Sequence, residues 1–179
     1  MIFLKQETLK KIKAVAFDID GVMTDGGILA LPDGDLLRVF NAKDAMAIRM
    51  AAMNGLHLAV ITGANSESIR KRMLYCGVPE EDIYLHSRIK IDDFNDFCRR
   101  HCLRTEEVAY LGDDLPDVPV LKAAGLGVAP EDACPEALEA ADYLSDIPGG
   151  KGCFRDIIER ILKAQDKWHL DDAEYKKRF

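Results

Sequence analysis

AVAFDIDG, residues 14–21, joins an apolar run to two aspartates and a glycine. The run has the length of a buried β-strand, and Asp18 and Asp20 stand at its carboxyl end. Alternate side chains of a strand share a face, so both aspartates would point the same way if the strand continued through them. Carboxylates brought together repel each other unless a cation or a proton lies between them, and Mg²⁺ accepts such oxygens. The pair indicates a metal site, although an isolated motif of this kind is also common in solvated acidic loops.

Further apolar runs alternate with helical patterns along the chain. This alternation predicts an α/β fold with one doubly wound, Rossmann-like parallel sheet. The predicted strands are residues 14–19, 56–61, 82–85, 108–111 and 126–128, and the predicted helices are residues 44–54, 66–76, 91–101, 116–124 and 154 to about 168. Because no repeat, linker or low-complexity stretch interrupts the pattern, we expect residues 1–179 to form a single domain.

Two segments fall outside this alternation. Residues 26–40 contain Pro32-Asp33-Gly34 between two short apolar runs, which is typical of a β-hairpin. Since ligands of open α/β sheets bind at the carboxyl ends of the strands, this hairpin is expected to be a flap over the site, with a plain surface hairpin as the alternative. The charge-rich tail at residues 169–179 is either a frayed end or a segment that docks on a neighbouring molecule.

The composition excludes several classes of function. The formal net charge is −7, with 31 acidic against 24 basic residues, which argues against a nucleic-acid partner. No apolar run approaches the roughly 20 residues of a membrane helix, and the first residues lack the apolar core of a secretory signal. Five scattered cysteines are expected to be reduced thiols. We therefore expect a cytoplasmic enzyme with neither a membrane nor a nucleic-acid partner.

Three further polar motifs stand at the ends of other predicted strands. Thr62-Gly63 offers a hydroxyl and free amides to phosphate oxygens, Lys90 offers a positive charge, and residues 112–117 (GDDLPD) add carboxylates. Each motif alone has an ordinary explanation, as a helix cap, a surface charge or a polar turn. Carboxyl ends of parallel strands meet at one edge of a sheet, so the ordered set predicts a site for phosphate and Mg²⁺.

In this order, the motifs resemble those of the haloacid dehalogenase superfamily. The resemblance implies a Mg²⁺-dependent phosphatase in which Asp18 attacks phosphorus to form an aspartyl-phosphate. It implies that Asp20 protonates the leaving group and then activates water. It further implies that the metal is held by Asp18, Asp113 and the backbone carbonyl of Asp20, while Thr62 and Lys90 bind the phosphoryl oxygens. An aspartate at position 20 favours a phosphatase or a phosphomutase over a dehalogenase.

The spacing of the motifs leaves no room for a cap domain. Only the hairpin separates Gly21 from the first long helix, and only one helix and a short strand separate Thr62 from Lys90. A capless site is open, which disfavours a phosphomutase and leaves enclosure of the substrate to a neighbouring subunit.

The resemblance also implies that Asp117, and with it Asp114, orients Lys90 and the metal ligands.

Longer segments, including DIDGVMTDGG, FNAKDAMAIR, GDDLPDVPVL and GGKGCFR, resemble the 3-deoxy-D-manno-octulosonate 8-phosphate phosphatase family. This resemblance covers about residues 12–165. It implies a homotetramer that acts on a phosphorylated sugar acid in lipopolysaccharide biosynthesis. The substrate-binding positions that it implies are Asp20, Asn41, Lys43, Asp44, Arg49, Thr62, Gly63, Arg72 and Lys90, with residues 149–152 and Arg155 in a second segment.

The chain departs from the family pattern at four positions. Lys43 and Lys151 replace arginines, Ala45 replaces a glycine, and Ala64 stands where many members have an arginine. Lysine keeps the charge but loses the bidentate grip of arginine on a carboxylate. Two alternatives therefore stand beside the leading function: a phosphatase for a nine-carbon, sialic-acid-like 9-phosphate, and a non-catalytic assembly module. The intact set of motif residues argues against the second.

Overall fold

Six parallel strands form the central sheet of the chain, whose computed structural model describes residues 4–179. In chain order the strands are β1 (Ala14–Phe17), the hairpin strands β2 (Leu29–Ala30) and β3 (Leu36–Leu37), then β4 (His57–Ile61), β5 (Ile83–Tyr84), β6 (Val108–Leu111), β7 (Leu126–Ala129) and β8 (Tyr143–Leu144). The order across the sheet is β5-β4-β1-β6-β7-β8, and every neighbouring pair is parallel. The predicted doubly wound parallel sheet is confirmed.

Helices cover both faces of this sheet. They are α1 (Gln6–Lys11), α2 (Ala42–Met53), α3 (Glu67–Cys76), α4 (Lys90–Arg100), α5 (Val118–Ala123), α6 (Pro135–Ala140), α7 (Cys153–Ala164) and α8 (Asp172–Arg178). Val15 and Phe17 of β1 pack in one core with α1, α2, α3 and α7, whereas Ala14 and Ala16 pack in the other with α4, α5 and α6. Because both faces are buried, the strands are apolar throughout and polar groups collect at their ends. Within residues 4–179, no helix has the length and apolarity needed to cross a bilayer.

The chain order of the strands reverses at β1. This strand lies between β4 and β6, the strands that precede the Thr62 and Asp113 motifs. In open α/β sheets, ligands bind outside the carboxyl ends of the strands at such a reversal. The topology therefore brings the loops after β1, β4 and β6 together.

β2 and β3 form the hairpin that the Pro-Asp-Gly turn predicts. Leu29 pairs with Leu37, and Ala30 pairs with Leu36. In the described chain, no other helix or strand lies between β1 and α2, and only α3 and a 3-10 turn lie between β4 and β5. A cap domain is thus absent from both positions in residues 4–179.

The structure adds β8, α1, α6 and α8 to the predicted elements. These have between two and seven residues, too few for a period to identify them in the sequence. β1 also ends at Phe17, before the predicted Ile19, because the amides of Met23 and Thr24 donate to the carbonyl of Ile19 and turn the chain. The strand does not continue through Asp18 and Asp20, so the condition under which pleating would align the two side chains is not met.

The tail packs on the chain's own helices. Arg178 Nη1 donates to the carbonyl of Ala52 at 3.2 Å, and Arg49 Nη1 donates to the hydroxyl of Tyr175 at 2.6 Å. The ring of Phe179 lies 4.8 Å from the Arg49 guanidinium carbon. α8 thereby places an ordered helix where the sequence suggests either a frayed end or a segment docked on a neighbour.

Candidate active site

An open pocket of about 410 Å³ lies at the carboxyl edge of the sheet. Its walls come from the loops that follow β1, β4, β5 and β6. Of the predicted site residues, those that line it are Asp18, Asp20, Thr62, Gly63, Lys90 and Asp113. The structure thus brings the four sequence motifs into one cavity, as the argument from strand ends predicts.

Asp18 and Lys90 form a buried ion pair at the floor of this pocket. Lys90 is the first residue of α4, and its Nζ lies 2.5 Å from Asp18 Oδ2 and 2.7 Å from Asp117 Oδ1. The amide of Ile19 donates to the other oxygen of Asp18 at 2.6 Å. Both oxygens of Asp18 are therefore fixed in direction, which orients the carboxylate for an attack on an atom in the pocket.

The charges of this cluster depend on one another. Burial raises the pKa of Asp18, and the positive charge of Lys90 opposes that rise. Burial lowers the pKa of Lys90, but Asp18 and Asp117 together raise it by more, so the amine is held as a cation. Asp117 also accepts hydrogen bonds from Tyr110 Oη and from the amides of Asp113 and Asp114. Asp117 is thereby occupied in orienting Lys90 and the loop after β6.

Asp113 is the carboxylate in this cluster that lacks a partner. Its buried Oδ1 has no hydrogen bond within residues 4–179. Burial and the neighbouring charges of Asp18 and Asp117 raise the pKa of Asp113 to about 8. One oxygen from each of the three carboxylates lies within 4.8 Å of the others. Because Lys90 supplies one positive charge to three carboxylates, the donor set fits a divalent metal, with Asp18 and Asp113 as candidate ligands.

Gly21 is required for this close approach. Its φ of +84° lies in the left-handed region, and a Cβ at this position would lie 1.9 Å from Asp113 Oδ2. Gly149 packs equally closely, since its Cβ would lie 1.9 Å from the carbonyl oxygen of Gly21. The predicted Gly149–Gly152 segment therefore supports the loop that carries Asp20.

Asp20 faces the hairpin, where Arg38 holds it. Arg38 Nε lies 2.6 Å from Asp20 Oδ1, and Arg38 Nη2 lies 2.8 Å from Asp20 Oδ2. Arg38 is not among the site residues predicted from the sequence, although a polar residue between Leu37 and Val39 follows the alternation of a strand with one face turned inward. Ser87 and Arg88, which line the pocket on the β5 side, are not among them either.

Thr62 and Gly63 follow β4, the strand next to β1, and line the same pocket as Asp18. The amide of Thr62 is bound to the carbonyl of Tyr84, and its hydroxyl accepts from the amide of Ala64 at 3.3 Å. The hydroxyl can still donate its own hydrogen. This end of β4 can therefore offer a hydroxyl to a phosphate oxygen.

Two predicted substrate residues hold the scaffold. Asn41 caps α2, accepting from the amide of Lys43, and its Nδ2 donates to the carbonyl of Gly150 at 3.2 Å. Asp44 is fully buried and accepts from the amide of Arg155 at 2.8 Å, in the first turn of α7. Burial raises the pKa of Asp44 to about 6. Both side chains fasten α2 to the segment around Gly150 and α7.

Three predicted cationic substrate residues do not line the pocket of their own chain. Lys43 is exposed on the first turn of α2, and Arg72 lies on α3. The guanidinium of Arg49 is stacked on Tyr75 at 4.7 Å and held by the tail. Within one chain, the structure does not bring these three cations to Asp18.

The geometry has counterparts among known proteins. Residues 81–149 match the haloacid dehalogenase-like hydrolase family. The 3-deoxy-D-manno-octulosonate 8-phosphate phosphatase KdsC of Salmonella typhi is 36% identical over 165 residues, which cover 92% of this chain and 86% of that protein. This chain belongs to that phosphatase family, within the haloacid dehalogenase-like hydrolases. The family predicted from the sequence motifs is confirmed.

Solved structures of this family have the same fold. The 3-deoxy-D-manno-octulosonate 8-phosphate phosphatase from Yersinia pestis superimposes with a TM-score of 0.87 at 34% identity, covering 90% of this chain and 86% of that one. The enzyme from Moraxella catarrhalis, in complex with a magnesium ion, a phosphate ion and a KDO molecule, has a TM-score of 0.87 at 29% identity, covering 96% of each chain. The likeness extends over nearly the whole chain.

Proposed function

We propose that this protein is a Mg²⁺-dependent phosphatase that hydrolyses 3-deoxy-D-manno-octulosonate 8-phosphate to the free sugar acid and phosphate. The observation that carries the proposal is the oriented Asp18 carboxylate, held by Lys90 beside the unpartnered Asp113 in an open pocket. A non-catalytic assembly module has no need of such a costly buried arrangement of charges. We place the enzyme in the cytoplasm and in lipopolysaccharide biosynthesis, and its five free thiols suit a reducing compartment.

Asp18 is the proposed nucleophile. One of its oxygens forms a bond to phosphorus while the bond between phosphorus and the ester oxygen breaks, giving an aspartyl-phosphate. Asp20 donates a proton to the departing alkoxide and then takes one from the water that attacks the phosphorus of the intermediate. The second attack releases phosphate and regenerates the Asp18 carboxylate.

The remaining residues bind and orient the phosphoryl group. Lys90 and Thr62 would contact its oxygens, together with the amide of Gly63. Asp18, Asp113 and the backbone carbonyl of Asp20 would hold Mg²⁺. When bound, the metal offsets negative charge on the transferring phosphoryl group.

The sugar-acid end of the substrate requires further cations. Because Lys43, Arg49 and Arg72 do not line the pocket of their own chain, their proposed contacts with substrate require the pocket of a neighbouring subunit. We therefore propose a homo-oligomer, and a tetramer in particular, in which each hairpin closes the pocket of the next subunit.

A panel of phosphate esters tests the substrate. It would contain the eight-carbon sugar-acid phosphate, a nine-carbon sialic-acid-like 9-phosphate, and a neutral pentose 5-phosphate without a carboxylate. We expect kcat/KM for the eight-carbon ester to exceed the others by at least about tenfold, the factor that about 1.4 kcal/mol of differential binding supplies. Preference for the nine-carbon ester would favour the alternative substrate, and no hydrolysis of any ester would favour an assembly module.

Removal of the metal should abolish activity. Dialysis against a chelator is expected to eliminate phosphate release, and added Mg²⁺ is expected to restore it, because Asp18 and Asp113 then regain a shared cation. Ca²⁺ should compete for the site but support little turnover, since its larger radius and looser coordination misplace the phosphoryl group. A coupled phosphate assay measures this, and full activity of the chelated enzyme would contradict the proposed site.

The hairpin should form an interface between subunits. Its apolar side chains are unusually exposed for a two-stranded ribbon, Leu29 at 62% and Val39 at 82%, and such a ribbon is marginally stable alone. Leu29→Ser combined with Val39→Ser is expected to dissociate the oligomer and to lower kcat/KM at micromolar enzyme concentration. Leu144→Ser, at an exposed leucine on β8, is the control. Light scattering measures the oligomeric state, and steady-state kinetics measures kcat/KM. A fully active wild-type monomer would refute the interface.

A further inference from the structure

We infer that Arg38 is a positioning residue for the acid–base group Asp20, through which the hairpin controls protonation of the leaving group. The inference rests on the proposed phosphatase chemistry but not on the identity of the sugar.

Arg38 is the inward-facing residue of an otherwise exposed stretch. Its side chain is 2% exposed, whereas the flanking residues Leu37 and Val39 are 43% and 82% exposed, backbone included. A third nitrogen, Nη1, donates to the carbonyl of Leu36 at 3.3 Å, which fixes the guanidinium to the hairpin backbone. The hairpin therefore presents one fixed cation to Asp20, which lines the pocket.

The guanidinium meets Asp20 through two hydrogen bonds. A bidentate pair of this kind fixes the plane of the carboxylate as well as its position. Thr24 Oγ1, on a fully buried residue, donates to Asp20 Oδ1 at 3.4 Å. Among residues 4–179, no other side chain is hydrogen-bonded to Asp20, so its orientation depends on Arg38 and Thr24.

This arrangement leaves Asp20 able to react. A carboxylate offers about four lone-pair directions, and the guanidinium uses one on each oxygen. Thr24 Oγ1 uses the second direction on Oδ1, so one direction on Oδ2 is available to the ester oxygen and later to water. Without Arg38, the carboxylate could rotate about its Cβ–Cγ bond, and proton transfer would lose the alignment on which its rate depends.

The competing interpretation is that Arg38 only anchors the hairpin. The two roles differ in how the effect depends on the leaving group. An alkyl phosphate needs a proton as its alkoxide departs, whereas p-nitrophenyl phosphate releases a stable anion that needs little help. Loss of an anchor would slow both esters alike, whereas loss of positioning would slow the alkyl ester more.

The test compares Arg38→Met, Arg38→Lys and Asp20→Asn on both esters in saturating Mg²⁺. The measured quantity is kcat/KM, which covers the steps up to departure of the leaving group. For Arg38→Met we expect a fall of about 10- to 100-fold on the alkyl sugar phosphate and less than about threefold on p-nitrophenyl phosphate. Arg38→Lys should recover part of the loss, and Asp20→Asn should show the same pattern more strongly.

Arg99→Met, at an exposed arginine on α4, is the matched control and should behave as wild type on both esters. Activity on p-nitrophenyl phosphate shows that each variant is folded. If Arg38→Met is unfolded, Arg38→Lys takes its place in the comparison of the two esters. Equal losses on both esters, or no loss on either, would overturn the positioning role alone. A wild-type enzyme inactive on both esters would overturn the phosphatase assignment and this role with it.

Discussion

Asp18→Asn is expected to abolish phosphatase activity while leaving the fold intact. The amide has nearly the shape of the carboxylate and can still accept the hydrogen bond of the Ile19 amide, but it is a poor nucleophile and a weaker metal ligand. We expect kcat to fall by at least about 10³-fold, within the range seen when a covalent nucleophile is removed.

Phosphate release under saturating Mg²⁺ measures this loss, with circular dichroism as the test of folding. Asp146→Asn is the control, because Asp146 is an exposed aspartate that does not line the pocket. Mass spectrometry of the wild type, quenched during turnover, should find a phosphoryl group on Asp18. Activity of Asp18→Asn within tenfold of wild type would rule out Asp18 as the nucleophile.

Lys90→Met is expected to remove activity and to destabilise the fold. The Lys90 side chain is 3% exposed and is paired with both Asp18 and Asp117. Methionine can fill the space of the lysine stem, but it leaves these carboxylates and Asp113 buried without a positive charge. Breaking a buried ion pair in this way costs about 3–5 kcal/mol, a large part of the stability of a domain of this size.

Urea denaturation in chelator measures this cost, with Lys122→Met, at an exposed lysine on α5, as the control. Lys90 lowers the pKa of Asp18, so its loss raises the folded-state pKa of Asp18 further above the unfolded value of about 4. A carboxyl with a raised folded pKa destabilises the fold as pH rises through that pKa. The gap between wild type and Lys90→Met should therefore be larger at pH 8 than at pH 5, and a gap independent of pH would contradict this account.

The motif residues could be placed from the sequence because strand ends are local features. Apolar runs with a polar residue immediately after them identify the carboxyl ends of β1, β4 and β6, and parallel topology puts those ends at one edge. Asp18, Thr62, Lys90 and Asp113 were predicted to meet for this reason, and they line one pocket. Their chemical roles remain predictions until the variants are measured.

Positions outside the motifs could not be placed in the same way. Asn41 and Asp44 match a family pattern for substrate binding, yet in the structure their side chains fasten α2 to Gly150 and α7. Arg49 lies under the tail, since a short helix at residues 172–178 packs there. The helical pattern identifies the exposed side of α2 but not which distant segment covers it.

The sequence by itself determined the order of the longer strands and helices, the single sheet without a cap, and the edge at which four polar motifs collect. Hydrophobic periodicity and strand-end chemistry are properties of neighbouring residues, so they can be read along the chain. Only the tertiary structure decided that Asp113 Oδ1 has no hydrogen-bond partner within residues 4–179, that Gly149 packs on the Gly21 loop, and that Arg38 holds Asp20. These features depend on residues that are far apart in the chain or separated by a turn. Their geometry is set by the path of the folded backbone, which neither composition nor motif spacing specifies.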